Sequence, residues 1–314
     1  MKVKLLVSTE NKTLDLSNTV EEITVSTTMY DSPGKCEFTF LGQEVYPNGS
    51  VIQVIVNDYK FFYGYIFSNS IDGSNKISVT AYDQMRYLKN QDIIYYEGKT
   101  SAQILEDICK KNNLKCNIVD PSSWIVLPYL HDKKTMFEII KHSLDETFQM
   151  ENKLYIIRDN FGTIEHIDVS KQKTNLQIGT KSLLTEFDFK KSIDDDTYNV
   201  VKLVRDNKDT QKRDVWQVQD SNTMKKWGKL QYLYNVDEHA NEEQIKELAN
   251  NILEVKNRET RSLSLSAIGF YNLKAGDGIK VKIDNIIDEW FYLEGVKTSI
   301  KNNFAKMELE VFIM

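Results

Sequence analysis

Residues 262–283 decide the fold. Leu263 and Leu265 alternate with Ser262, Ser264 and Ser266, Ala275-Gly276-Asp277 makes a turn, and Ile279, Val281 and Ile283 follow. Alternation of this kind marks half-buried strands, and glycine in the turn permits positive φ. Trp290-Phe291-Tyr292, Gly295, Val296, Met307, Leu309 and Val311 extend the pattern. The same order occurs near the start of the chain. Cys36, Phe38 and Phe40 alternate with polar residues, and Pro47-Asn48-Gly49 turns. Val51, Val54 and Val56 follow, then Phe61-Phe62, Gly64, Tyr65 and Ile66, then Ile77, Val79 and Ala81. Phe38 lies 11 residues before Gly49 (49 − 38), and Leu265 lies 11 before Gly276 (276 − 265). The sequence therefore predicts two copies of one small antiparallel β-unit, barrel or sandwich, separated by other material. Gly49 should superpose on Gly276 and Gly64 on Gly295, with Gly64 and Gly295 at bent or bulged backbone. A duplicated unit points to a part that matches the symmetry of something larger more than to an enzyme.

The 314 residues have room for two or three domains. With 41% hydrophobic and 27% charged residues, a packed core is expected and disorder is not. No apolar run approaches the ~20 residues that span a bilayer. The opening residues 1–7 read as a strand and not as a signal peptide. Cys36, Cys109 and Cys116 read as reduced thiols, and the net charge of −6 argues against a broad nucleic-acid-binding face.

Residues 1–90 read as β throughout, with a first hairpin of 2–7 and 13–16, a run at 21–28, and a turn at Asp31-Ser32-Pro33-Gly34. Residues 97–178 change character. Thr100 with Gln103, and Thr135 with Glu138, form capping boxes that open two helices. The helical faces are Ile104, Leu105, Ile108 and Cys109, then Phe137, Ile140, Leu144 and Phe148. Short strands are expected at 115–119 and 125–127, and a hairpin at 153–158 and 163–168. Strands at 183–189, 198–205, 216–219 and 230–234 precede a helix capped by Asn241 and Gln244.

Chemistry is sparsely signalled. His131, His142, His166 and His239 lack metal spacing, and Cys109 and Cys116 lack a histidine at ligand spacing. Asp194-Asp195-Asp196 has none of the spaced ligands of a calcium loop and reads as a solvated turn. No nucleophile-elbow, P-loop or dinucleotide motif occurs. The aromatic clusters Phe61-Phe62-Tyr63 with Tyr65, and Trp290-Phe291-Tyr292, read as barrel core on alternate residues, with carbohydrate binding or base stacking as the other reading. No catalytic, cofactor or metal residue is assigned. The structural residues singled out are Gly49, Gly64, Gly276 and Gly295.

Residues 79–88 (Val-Thr-Ala-Tyr-Asp-Gln-Met-Arg-Tyr-Leu), 95–105 (Tyr-Tyr-Glu-Gly-Lys-Thr-Ser-Ala-Gln-Ile-Leu), the helix at 242–256, Arg258-Glu259-Thr260-Arg261-Ser262-Leu263 and 273–279 resemble the XkdQ/YqbQ group. These are phage-like-element tail proteins related to the late-control protein D hub family of contractile tails. The resemblance covers nearly the whole chain. It implies a mainly β fold with an α/β insertion (α+β): a first tube-like antiparallel β-barrel over 1–95, a small α/β middle domain over 96–179, and a second barrel over 180–314 that includes the helix 241–257. It implies a baseplate hub of a phage tail, defective phage or tailocin, a homotrimer whose six barrels continue a six-fold tail tube and receive a three-fold spike. The partners implied are the tail tube protein, the spike and other baseplate proteins, with no membrane, no sequence-specific nucleic acid and no cofactor. Assembly is expected in the bacterial host cytoplasm, with the product in the virion or tailocin particle. No added domain is expected after the second repeat. Two rivals remain: a tail-associated peptidoglycan hydrolase, and a carbohydrate-binding receptor module.

Overall fold

A computed structural model of the chain describes residues 1–313 except 31, 44, 208–211, 238 and 239. Asp31 of the expected turn and His239 thus lie outside the described residues. Strand outweighs helix, 51% against 19%, so the fold is mainly β as the alternation predicts. Among the described residues no helix is long and apolar enough to cross a membrane.

Two compact units make up the chain: Met1–Leu144 with Leu154–Asp188 and Leu263–Met314, and Asp145–Lys153 with Phe189–Ser262. The first unit begins with β1 (Val3–Ser8), β2 (Thr13–Asp15), β3 (Val20–Thr28), β4 (Lys35–Leu41), β5 (Val51–Val56), β6 (Tyr59–Ile71) and β7 (Lys76–Tyr82). Their burial alternates as the sequence does: in β4, Cys36, Phe38 and Phe40 are buried while Glu37 is exposed. Cys36, Phe38 and Phe40 form one apolar core with Leu5, Val7, Ile23, Ile52, Phe61, Phe62 and Val79.

The α/β part follows with β8 (Gln91–Tyr96), α1 (Ser101–Lys111), β9 (Cys116–Ile118), β10 (Tyr129–Thr135), α2 (Met136–Glu151), β11 (Tyr155–Asp159) and β12 (Ile164–Asp168). Both halves of the Thr100–Gln103 capping box form, and Thr135 and Glu138 make the same reciprocal bonds at 2.8 and 3.2 Å. Ile104, Leu105 and Ile108 of α1 pack with Phe137, Ile139 and Ile140 of α2. The expected hairpin is β11–β12, and β12 also pairs in parallel with β9. Two features differ from expectation. Residues 125–127 give only an isolated bridge from Ile125 to Thr100, and the strand lies at β10, paired with β8. β10 exposes most of its side chains and lacks the apolar alternation that reveals a strand.

After β13 (Lys173–Gly179) and β14 (Leu184–Ser192), the second unit holds β15 (Val200–Asn207), β16 (Lys212–Gln219), α3 (Ser221–Trp227), β17 (Gln231–Asn235) and α4 (Glu242–Lys256). Strands 15 to 17 form their own sheet, against which Ile245, Ala249 and Ile252 of α4 pack. The Asn241–Gln244 capping box of α4 is complete. The run Asp194–Asp196 is a bend in which Lys190 pairs with Asp195 at 2.7 Å and Lys256 with Asp196 at 2.6 Å. The chain then enters β18 (Thr260–Ile268), β19 (Gly278–Ile283), β20 (Ile287–Lys301) and β21 (Phe304–Phe312).

The duplication is visible in the strand order. The first repeat runs β4-β7-β6-β5 and the second β18-β21-β20-β19. Flanking strands follow the same plan: β3 lies outside β4 as β14 lies outside β18, and β1 beside β5 as β13 beside β19. One direction changes, since β1 pairs antiparallel and β13 parallel. The expected pair of closed barrels is not what the ladders draw. Among the described residues, thirteen strands form one sheet in which β3 joins β20, and no ladder closes either repeat on itself. In the first repeat, closure through β3 is ruled out because both its edges are taken. One holds β4, and the other is used by β20 from Thr28–Gly295 to Glu22–Lys301.

Candidate functional site

The four glycines locate the correspondence between the repeats. Gly49 and Gly276 both take positive φ, 87° and 90°. Gly49 donates its N–H to the Ile66 carbonyl at 2.8 Å, and Ile66 returns one to Ser50 at 2.9 Å. Gly276 donates to Leu293 at 2.8 Å, and Leu293 to Asp277 at 2.9 Å. The partners stand 227 residues apart in each case (276 − 49, 293 − 66). Gly64 and Gly295 do not correspond. Gly64 sits opposite Ile52, and the residue opposite the equivalent Ile279 is Phe291. Gly295 follows a register shift after Leu293, and the matching shift after Ile66 leads to Ser68. Gly295 therefore adjoins a bulge. Gly64 lies in regular ladder, where a Cβ would run into the Tyr82 carbonyl oxygen. The sequence match failed because two conspicuous glycines after an aromatic pair look alike, although one answers a close approach and the other a bulge.

The sheet presents a polar face opposite its core. Ladder registers set Lys306, Ser299, Thr24, Glu37, Thr80 and Ser68 in one row across β21, β20, β3, β4, β7 and β6. The next row reads Glu308, Lys297, Ser26 and Lys35. Short hydroxyl side chains pair across the junction of the repeats, Thr24 Oγ1 with Ser299 Oγ at 3.1 Å. Charges come in opposite pairs: Lys297–Glu308 at 3.0 Å and Lys35–Glu37 at 2.7 Å. Each exposed pair contributes little to stability, and the groove that crosses this face keeps an acidic excess, with Glu186, Asp188, Glu308 and Glu310 against Lys297. A groove of about 390 Å³ crosses β14, β18, β21, β20 and β3 and is lined by Phe187, Ser266, Leu309, Lys297 and Ser26 among others.

The hairpin β11–β12 bolts onto the second repeat. Arg158 Nη1 reaches Asp277 Oδ1 at 2.7 Å, and Lys274 Nζ reaches Asn160 Oδ1 at 3.1 Å. Burial pushes the Asp159 carboxyl up to about 6. It also pushes Asp83, which accepts N–H groups from Gly34 and Met85, well above the usual carboxylate range, with the nearby Asp159 charge adding to the effect. Burial first, and then Arg158, lower the Lys274 ammonium.

The polar groups that could suggest chemistry are placed as follows. Ser101 Oγ lies 3.3 Å from His166 Nε2, and His166 Nδ1 bonds the Asp120 carbonyl oxygen at 2.7 Å. Ser101 and His166 are each 0% exposed, so no substrate reaches this pair. His131 and His142 both bond the Tyr96 hydroxyl, at 3.1 and 2.9 Å, and burial lowers His131 to about 4. The thiols of Cys109 and Cys116 bond each other, and burial raises both. Among the described residues no group of three acidic, histidine or cysteine side chains could hold a metal. The aromatic clusters divide. Phe61, Phe62, Phe291 and Tyr292 are core, and consecutive Phe61 and Phe62 are both buried because the ladder shifts register between Val54 and Ile55. Trp290 is 36% exposed, with Lys173 over its ring at 5.2 Å.

Sequence reasoning marked the period-two strands that build the polar face. It gave no sign of the β3–β20 junction, because pairing between distant strands leaves no local pattern.

The model of the YQBQ-like family matches residues 23–312. The phage-like element PBSX protein XkdQ of Bacillus subtilis is 23% identical, over 98% of this chain and 96% of that protein. A tail protein of Neisseria meningitidis has the same fold, with a TM-score of 0.77, 13% identity and coverage of 100% of this chain and 97% of that one. So does the Escherichia coli c3393 protein, a type VI secretion component described as similar to T4 tail proteins gp27 and gp5. Its TM-score is 0.60 at 12% identity, over 94% of this chain and 74% of that one. A match along nearly the whole chain settles its kinship: the chain belongs to the YQBQ-like family.

Proposed function

We propose that this chain is a structural hub of a contractile injection system, a phage tail or tailocin, and that it joins a six-fold tail tube to a three-fold spike. The observation that carries the proposal is the duplicated strand order, β4-β7-β6-β5 and β18-β21-β20-β19, fused into one sheet. Two near-equivalent units on each of three chains offer six similar faces to a hexameric tube. The polar face, with its hydroxyls and paired charges, then faces the channel. A lining with an acidic excess does not hold a passing polyanion. The tail-protein relatives support the role, and so does the likeness of one of them to gp27 and gp5. The working partners are two further copies, the tube protein, the spike and other baseplate proteins. Assembly takes place in the host cytoplasm and the product is the particle.

The buried Ser101–His166 pair favours this mechanical reading over peptidoglycan hydrolysis. The test is cryo-electron microscopy of intact particles. Three copies at the end of the tube are expected, with both repeats of each copy in one ring. Six copies, or repeats turned away from the tube axis, overturn the proposal. Clearing of peptidoglycan by the purified chain would restore the enzyme reading.

A further inference from the structure

We infer that strand β14 of one copy pairs antiparallel with residues 68–71 of β6 in a second copy, so that the ring alternates three junctions within chains with three between them. The inference rests on the hub reading above and names the edges that hold the ring together.

Within the chain the second repeat shows a completed junction. β20 pairs on one side with β21; on the other it pairs first with β19 at Ile287–Tyr292 and then with β3 at Gly295–Lys301. The first repeat has the same layout up to that point. β6 pairs on one side with β7; on the other it pairs with β5 as far as Tyr65, and Ile66 still bonds Ser50. Beyond Ile66 this second side has no strand on it among the described residues, and Ser68, Ser70 and Ile71 are exposed. In the correspondence fixed by the two bulges, residues 68–71 stand where Gly295–Thr298 stand, which is where β3 docks. The strand equivalent to β3 is β14. It ends the sheet, bonded to β18 alone, with its outer side open among the described residues. One repeat therefore has an acceptor edge without a donor, and the other has a donor edge without an acceptor.

The two edges differ, so the contact is head-to-tail, and such contacts close into rings when the rotation permits. Alternation of cis and trans junctions gives six from three chains. The edges also suit one another chemically. β14 carries Glu186, Asp188, Lys190 and Lys191, whereas residues 68–71 are uncharged, so no like charges oppose. Lysines on an open edge discourage indiscriminate pairing. The groove across β14, β18, β21, β20 and β3 has four counterparts in the first repeat, β3, β4, β7 and β6, and the fifth place belongs to the neighbour's β14. The trans junction is short. β6 stops at Ile71, the equivalent of Thr298, so it offers four of the seven paired positions that β20 gives β3. An isolated chain is then monomeric, and the ring forms when tube and spike add their contacts.

Cysteine cross-linking tests the inference. Ser70→Cys is combined in turn with Asp188→Cys and with Lys190→Cys, which covers a two-residue slip in register. Facing strand residues have Cα atoms ~4.5–5.5 Å apart, within disulfide range. Assembled particles are oxidised mildly and run on a non-reducing gel, with the parent protein as control for Cys36, Cys109 and Cys116. The expected result is loss of the monomer band to a species of three chains for one pair, and no change for single-cysteine variants. Monomer only, from particles that microscopy shows to hold three copies in a ring, overturns the edge pairing and leaves the hub reading standing. A cross-linked series beyond three chains supports the pairing and overturns the three-fold hub. If the double variants do not assemble, particles carrying Ser70→Cys and Lys190→Cys on separate co-expressed chains provide the readout: a two-chain band supports the inference and its absence overturns it. A β14 cysteine that links to the tube protein instead also overturns it.

Discussion

The two repeats share a strand order but live in different surroundings, and the turns show this most directly. At Gly49 a Cβ would meet nothing within 4 Å. At Gly276 it would run into Ile156, because the β11–β12 hairpin covers the turn. The residue after each glycine has diverged accordingly. Ser50 bonds only its own turn, at the Pro47 carbonyl, whereas the equivalent Asp277 accepts from its own turn at the Lys274 N–H and also reaches out to Arg158. The second repeat is anchored on its turn and on its β20 edge; the first is open at both places. A duplicated unit thus keeps its ladder and specialises in what it leaves uncovered.

The largest expected effect comes from making the first repeat imitate the second. Gly64 stands where the second repeat holds Phe291, yet the Tyr82 carbonyl leaves no room for a side chain. Gly64→Val should cost on the order of 3 kcal/mol, seen as a fall in denaturant midpoint or as insoluble protein. Gly295→Ala meets only the end of the Glu310 side chain at 3.1 Å and should melt close to the parent. Next comes the anchored turn. Asp277→Ala takes from the half-buried Arg158 its nearer carboxylate, leaving Glu165 at 3.7 Å, and removes the acceptor of the Lys274 N–H; it should cost about 2 kcal/mol in urea unfolding, whereas Ser50→Ala should cost about 1 kcal/mol. Equal losses would erase the distinction between the turns. Gly276→Ala should likewise exceed Gly49→Ala by about 1–2 kcal/mol: both pay for positive φ, and only the first also meets Ile156.

A pH titration sharpens the same contrast more gently. The folded Asp159 carboxyl lies at about 6, above its ordinary 3.8, because of burial. Its contribution to stability is therefore fully present below about 3.8 and is lost as pH rises through about 6. Asp159→Asn keeps an acceptor for the Gly162 N–H and should flatten that decline in melts taken across the window. A slope unchanged by the substitution would remove Asp159 from the account. The smallest effect belongs to the junction: Thr24→Ala should cost about 0.5 kcal/mol, since it removes one cross-strand hydroxyl pair.

Local rules carried the sequence reading a long way and then stopped at pairing. Alternation located β3 to β7 and β18 to β21, and capping boxes located α1, α2 and α4 to within a residue or two. The elements missed were β10, most of whose side chains are exposed, β8 and β13, which alternate exposed with mostly half-buried residues, and α3, which buries no residue. Burial makes a periodic signal, and elements without burial are silent. The polar face was legible in the serines between Leu263 and Leu265 and in Glu37 between Cys36 and Phe38. The edges were not, because an edge is defined by the strand it lacks.

The β3–β20 junction also sets an order of events during synthesis. Thr24 waits for Ser299, 275 residues further along the chain. Loop closure over that distance is slow and makes contact order high. While the ribosome is still translating, β3 displays a bare edge that β20 of a neighbouring chain could fill before that strand meets its own β3. An exchanged dimer of that kind would satisfy every ladder in both chains, so it is a trap that only timing avoids. Slow decoding or crowding during expression should therefore yield swapped dimers, recoverable as monomers after unfolding and dilute refolding.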